Sequence, residues 1–175
     1  MEIENQYPIG KFQVSEFTEA LKESALADIQ FLPNALEAAI TNLDEVQLHT
    51  PYRDGGWTLH QLVHHIADSH INAYIRFKLL ITEENPTFVP YDENLWIQLE
   101  DVKCLPINIS VTLLFALHKR WFEALKNLKE EDWTKTGYHT GMKKQISLWF
   151  LLQMYAWHGR HHVAQINGLR AKMNW

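Results

Sequence analysis

DGGWTLHQLVHHIADSHINAYIRFKLLITEENP, residues 54–86, decides the fold. Gly55-Gly56 makes a turn. Thr58 is a good helix N-cap, and Gln61, three residues on, completes a capping-box pattern. The helix then runs to about Thr82 and stops before Pro86. A helix turns about 100° per residue. With His65 at zero, Leu59, Leu62, Ile66, Ala73, Phe77 and Leu80 fall between about 60° and 120°, a single buried stripe.

Three further helical segments flank this one. The first spans Glu16 to Asn42, with apolar residues at Leu21, Ala25, Ile29, Leu32, Leu36 and Ile40, and a kink or short break is expected at Pro33. The third starts near Ser110, a plausible cap, and runs to about Leu128. Between second and third lies a long connection, Glu83 to Ile109, holding Pro86, Pro90 and Pro106; loops of that length are often functional. Asp132–Ile146 reads as turn or hairpin, punctuated by Gly137 and Gly141. The fourth helix starts near Ser147 and runs almost to the last residue. The expected fold is therefore all-α, an up-and-down four-helix bundle with a long loop between the second and third helices, as a single domain over residues 1–175. An irregular all-helical domain is the alternative.

Composition narrows the function. The 175 residues carry a net charge of −5, which speaks against a nucleic-acid partner. One cysteine, Cys104, excludes an internal disulfide and a thiolate-rich zinc site, and it is read as inert. The N-terminus lacks the pattern of a signal peptide, and no apolar run reaches the roughly 20 residues that span a bilayer. A cytoplasmic protein with no membrane association is expected.

Ten histidines are the unusual feature. On the second helix His65 lies at the edge of the buried stripe, whereas His64 and His60 fall at about −100° and −140° and are expected to face solvent. His70 lies within the apolar arc and reads as a core histidine. Ser69, Asn72 and Arg76 share a column with His65; they line a pocket or form a solvated flank. Asp68 reads as a solvated residue. On the fourth helix His158 and His162 face inward, about 40° apart, with Tyr155, Gln165 and Leu169 nearby. His161, at about −60°, is a weaker candidate. Histidines at i and i+4 stack on one face, so two imidazoles can converge on one ion at about 2.0–2.1 Å. A third from a facing helix completes a bundle-core metal site. Gly159 stands where a metalloprotease would carry its Glu. Trp57, Trp149 and Trp157 are read as packing residues.

TPYRDGGWT (Thr50–Thr58), VHHIADSHINAYIRFKL (Val63–Leu79), PYDE (Pro90–Glu93), YAWHGRHH (Tyr155–His162) and YPIG (Tyr7–Gly10) together resemble the DinB/YfiT-like superfamily, in particular its YfiT group of metal-dependent hydrolases. The resemblance implies a four-helix bundle, a homodimer, and one divalent metal ion per subunit, zinc or nickel, on three histidines. Matched by motif these are His65, His158 and His162, the three already selected by orientation. Gly159-Arg160 departs from the group's pattern and puts the pocket rim in question.

Three neutral imidazoles leave an ion with an open position, the mark of a catalytic rather than a structural site. The first expectation is hydrolysis of a small-molecule substrate by water activated at the ion. A second is a thiol S-transferase of the bacillithiol type, with a low-molecular-weight thiol as partner, since some relatives are transferases. A third is a metal-binding dimer without enzymatic activity. Asn72 and Arg76 are the candidate substrate-binding residues, and Tyr91 and Asp92 of the long connection are candidates to cover the site.

Overall fold

The computed structural model describes residues 6–175. Four long helices dominate: α1 Glu19–Ile40, α2 Leu59–Thr82, α3 Asn108–Leu125 and α4 Leu148–Met173. The capping box at Thr58 and Gln61 is present, Ser147 caps α4, and Thr18 caps α1. Ser110 caps nothing, because α3 begins earlier, at Asn108. α1 runs through Pro33 as one helix.

The bundle is not up-and-down. α1 packs against α3 and α4, and α2 packs against α3 and α4, so α1 and α2 are diagonal to each other. The core shows the directions. One apolar cluster holds Ala25, Leu26 and Ile29 of α1, Ala73, Phe77 and Leu80 of α2, Trp121 and Leu125 of α3, and Leu148–Ala156 residues of α4. The other holds Leu32, Leu36 and Ala39, then Leu59–Ala67 residues, then Val111 and Leu114, then Ile166 and Leu169. α1 and α4 thus run from the first cluster to the second, and α2 and α3 run the opposite way. An up-and-down bundle alternates direction at every step; here α2 and α3 are parallel neighbours. The connection between them has to return along the bundle, which is the physical reason for its length.

That connection contains β1 (Thr87–Phe88) and two short helical pieces, Glu93–Trp96 and Glu100–Cys104. β1 pairs in parallel with β2 (Thr136–His139), which pairs antiparallel with β3 (Lys144–Ser147). The β2–β3 hairpin matches the turn or hairpin expected before α4. β1 lies within a Pro-rich loop and its two residues give no alternating pattern to detect. No described helix is long and apolar enough to cross a membrane.

Between the two apolar clusters every helix contributes to one polar layer. α2 brings His65, Ser69 and His70, α3 brings His118, and α4 brings His158, His162 and Gln165, all buried except the half-buried His158. α1 brings a backbone carbonyl, that of Ile29. Close approach of α1 to α4 at this level requires a small residue. A Cβ on Gly159 would sit 2.8 Å from Leu32 Cδ1, closer than two carbons can approach. Arg160 turns outward to pair with Asp28 of α1 at 2.7 Å. Neither Gly159 nor Arg160 is therefore at the pocket rim, so their departure from the expected pattern bears on helix packing.

Candidate metal centre

His65, His158 and His162 converge. One ring nitrogen from each lies within 4.8 Å of the other two. His65 Nε2 is 3.4 Å from His158 Nε2, and His162 Nε2 is 3.1 Å from it. Two donors bound tetrahedrally at about 2.0–2.1 Å from one ion stand about 3.3 Å apart, so these separations suit a shared ion.

The neighbours decide which nitrogens carry protons. Gln165 Nε2 donates to the carbonyl of Gln6 at 3.0 Å, so its Oε1 faces His162 and accepts from Nδ1 at 2.8 Å. A neutral His162 protonated at Nδ1 keeps a bare lone pair on Nε2. His158 is fixed through a longer chain. The carbonyl of Ile29 can only accept, so His118 Nδ1 carries the proton between them. His118 Nε2 then accepts from His70 Nδ1 at 2.9 Å, and His70 Nε2 accepts from His158 Nδ1 at 3.0 Å. The lone pair of His158 is left on Nε2, toward His65 and His162. Partners that set the tautomer in this way also raise ligand basicity.

The Ile29 carbonyl is available for a local reason. In an α-helix it would accept from the N–H of residue 33, but Pro33 has none. The proline expected to interrupt α1 instead leaves one acceptor for His118.

Burial keeps the rings neutral. It lowers the His65 pKa to about 4 and those of His158 and His162 well below the ordinary value, with the neighbouring histidines adding to the effect on the last two. Burial also takes His118 to about 4. Neutral imidazole is the metal-binding form.

The centre opens on a cavity of about 630 Å³. The loop after the Gly55-Gly56 turn supplies Trp57, whose ring lies 4.6 Å from that of His65. Trp57 is thus a wall of the site, whereas Trp149 packs in the core as expected. Trp157 stacks on His161 at 4.5 Å. The long connection supplies Pro90, Tyr91, Glu93 and Asn94 to the cavity wall, while Asp92 caps the turn Glu93–Trp96. The N-terminal segment runs along α4: the Gly10 carbonyl accepts from Trp157 Nε1 at 3.2 Å and the Ser15 carbonyl from Trp149 Nε1 at 2.8 Å. This brings Gln6 and Tyr7 to the cavity.

Arg76 and Ser69 line the cavity; Asn72 does not, and its amide turns back to the Asp68 carbonyl at 2.9 Å. Asp68 is half-buried rather than solvated, and burial, with Asp101 second, raises its carboxyl to about 6. His60 and His64 do not face solvent. They are 7% and 5% exposed, and both donate from Nε2 to the Leu105 carbonyl, at 3.1 and 3.2 Å. The returning connection covers that face of α2, which a wheel of a single helix does not register. His70 is a core histidine, as expected, with both nitrogens engaged. His161 lines the cavity, and its Nδ1 is buried without a partner among the described residues. Cys104 is exposed and contacts Glu100. The sequence reading missed Gln165 and His118 as supports. Gln165 shares the inward column of His158 and His162, and His118 is a lone histidine on the apolar face of α3; both signals were present.

The comparisons agree with this geometry. The profile described as DinB superfamily matches residues 28–166. A protein of Bacillus cereus strain B4264 carrying the provisional name metal-dependent hydrolase is 50% identical over 173 residues, covering 97% of this chain and 98% of its own. A Bacillus anthracis protein, strain CDC 684 / NRRL 3495, with the same provisional name is equally similar. Among solved structures, YfiT from Bacillus subtilis, described as a probable metal-dependent hydrolase with an unusual four-helix bundle topology, superposes with a TM-score of 0.95. It is 41% identical, with 98% of this chain and 99% of that chain covered. The four-helix bundle, the histidine cluster and these relatives together make this chain a member of the DinB superfamily.

Proposed function

We propose that this chain is a metal-dependent hydrolase acting on a small molecule, with His65, His158 and His162 holding one divalent ion, zinc or nickel, at the cavity wall. The observation that carries this reading is the convergence of three histidine nitrogens on one point beside a cavity, two of them with lone pairs assigned by their hydrogen bonds. No fourth His, Cys, Asp or Glu joins the group among the described residues, which leaves room for a water or substrate atom, as catalytic sites do. An ion held this way supplies Lewis acidity and lowers the pKa of a coordinated water from 15.7 to about 7.

The chain's own residues prepare the site. Burial holds the three imidazoles neutral at physiological pH. Gln165 and the His70–His118 pair hold two of the rings in the correct tautomer. Trp57 packs on His65 and excludes water from that side. Arg76 holds the Tyr155 hydroxyl at 3.1 Å and the Val89 carbonyl at 3.3 Å, joining α4 to the connection that walls the cavity.

The test is a panel of esters, amides and phosphoesters presented to metal-stripped protein and to protein reloaded with zinc or nickel. Hydrolysis should require the metal and vanish in His158→Ala. Equal rates with and without metal would remove the reading. Consumption of a low-molecular-weight thiol in the same assay, without hydrolysis, would reassign the centre to thiol transfer.

A further inference from the structure

Arg76 stands out once the centre is built. Its side chain is 8% exposed, yet it has no carboxylate partner among the described residues. Arginine is rarely buried so far without one. Two of its five N–H groups are spent on neutral acceptors, the Tyr155 hydroxyl and the Val89 carbonyl. The remaining three have no acceptor among the described residues, and the side chain lines the cavity. Glu93 lines the same cavity but makes no ion pair with Arg76, and the groups in contact with the guanidinium supply no negative charge. Burial holds His139 neutral, with Arg76 itself as the second cause, and raises the Tyr155 hydroxyl, which stays protonated. Ser69, which lines the same cavity, is uncharged.

The distance to the centre is short. Tyr155 stands three residues, about one turn, before His158 on α4. Its ring is 5.8 Å from that of His158, and its hydroxyl meets Arg76. Tyr155, buried behind the cavity wall, therefore bridges the guanidinium and the histidine triad.

We infer that the substrate carries a carboxylate, which Arg76 receives while the reacting end of the molecule faces His65, His158 and His162. A guanidinium matches a carboxylate with paired N–H donors, and the pairing strengthens away from water. The short span that Tyr155 bridges limits the substrate to a short chain between its anionic and its reacting ends. This inference rests on the reading of the triad as a metal centre.

The experiment loads the protein with cobalt(II) and uses thiols as metal-anchored probes, read by the thiolate-to-cobalt absorption band. Mercaptoacetate, 3-mercaptopropionate and 4-mercaptobutyrate are each compared with the amide of the same length. At least one acid should bind about tenfold or more tightly than its amide, the scale of a charged hydrogen-bonded contact. Arg76→Gln, which keeps a donor but no charge, should abolish that preference without changing amide binding, and Arg76→Lys should keep part of it. A purely structural arginine would change acids and amides together. Equal binding of acids and amides at every length, or a preference that survives Arg76→Gln, overturns the inference while leaving the metal centre intact. Failure of cobalt to bind at all removes the metal reading, and this inference with it.

Discussion

Two clusters of histidine share α2, and they are used in opposite ways. His60 and His64 both point N–H groups at the Leu105 carbonyl, and His64 Nδ1 accepts from the Ser110 hydroxyl at 2.8 Å. These contacts hold the returning connection and the first turn of α3. One residue further along, His65 meets His158 and His162, whose facing nitrogens the surrounding hydrogen bonds leave unprotonated. Burial does not single out the triad: His60, His64, His65 and His162 are all 5–8% exposed, and His158 is half-buried. Neither the number of histidines nor their burial marks the candidate metal centre. What separates the two is the direction in which the protons are held.

The sharpest way to break this contrast is by metal affinity. His158→Ala should weaken zinc binding by at least about a hundredfold in a chelator competition. The double variant His60→Gln, His64→Gln should leave it within about twofold, since a dispensable cluster has no ligand to lose. Comparable losses in both variants would dissolve the distinction.

Next come the residues that hold the protons. Gln165→Leu should cost about 10–100-fold in affinity, the usual effect of losing a partner behind a ligand. His118→Phe, one ring further from the centre, should cost about tenfold. In that variant the ring nitrogen shifts of His158 by NMR should show a mixture of tautomers where the wild type shows one. An unmixed spectrum would mean that the His70–His118 pair does not set the proton.

Acid should act on the metal-free protein in one direction. Burial depresses the His65 and His118 pKa values to about 4, below the ordinary value near 6.5. The unfolded chain then binds more protons than the folded one between those limits, so stability rises with pH there. The denaturation midpoint should be level above about pH 7 and fall as pH drops from 6.5 toward 4. Asp68, raised to about 6, acts the other way, but as one group against several buried histidines. A midpoint that climbs on acidification would contradict the neutral, buried assignment.

The smallest effect belongs to the other cluster. Ser110→Ala leaves His64 Nδ1 without its donor and should cost about 1–2 kcal/mol of stability with metal affinity unchanged. Chemical denaturation and zinc competition on the same sample would separate the two.

Much of this was legible in the residues. The Thr58–Gln61 box placed α2, and orientation alone chose His65 over His64 and paired His158 with His162. Amphipathicity reports that a face is buried, not what buries it. For that reason the bundle was read as up-and-down and His60 and His64 as solvent-facing. Both errors have one source, the returning connection, whose 83–109 length was noticed but whose path lies in contacts far apart in sequence. Trp57 and Arg53 reach the cavity from a loop, where periodicity carries no information.

Pro33 has a consequence beyond α1. No side chain of that helix belongs to the triad, yet a hydrogen bond missing from it selects the nitrogen that His158 presents on another helix. His118, His70 and His158 form a line with a fixed polarity, anchored at one end by an acceptor that cannot be inverted. Reversing one ring would set two protons or two lone pairs face to face, so the line holds its order as a unit. The triad then comes into full register only when α1, α2, α3 and α4 have all docked, so tight binding of an ion at the proposed centre would report that the last of them is home.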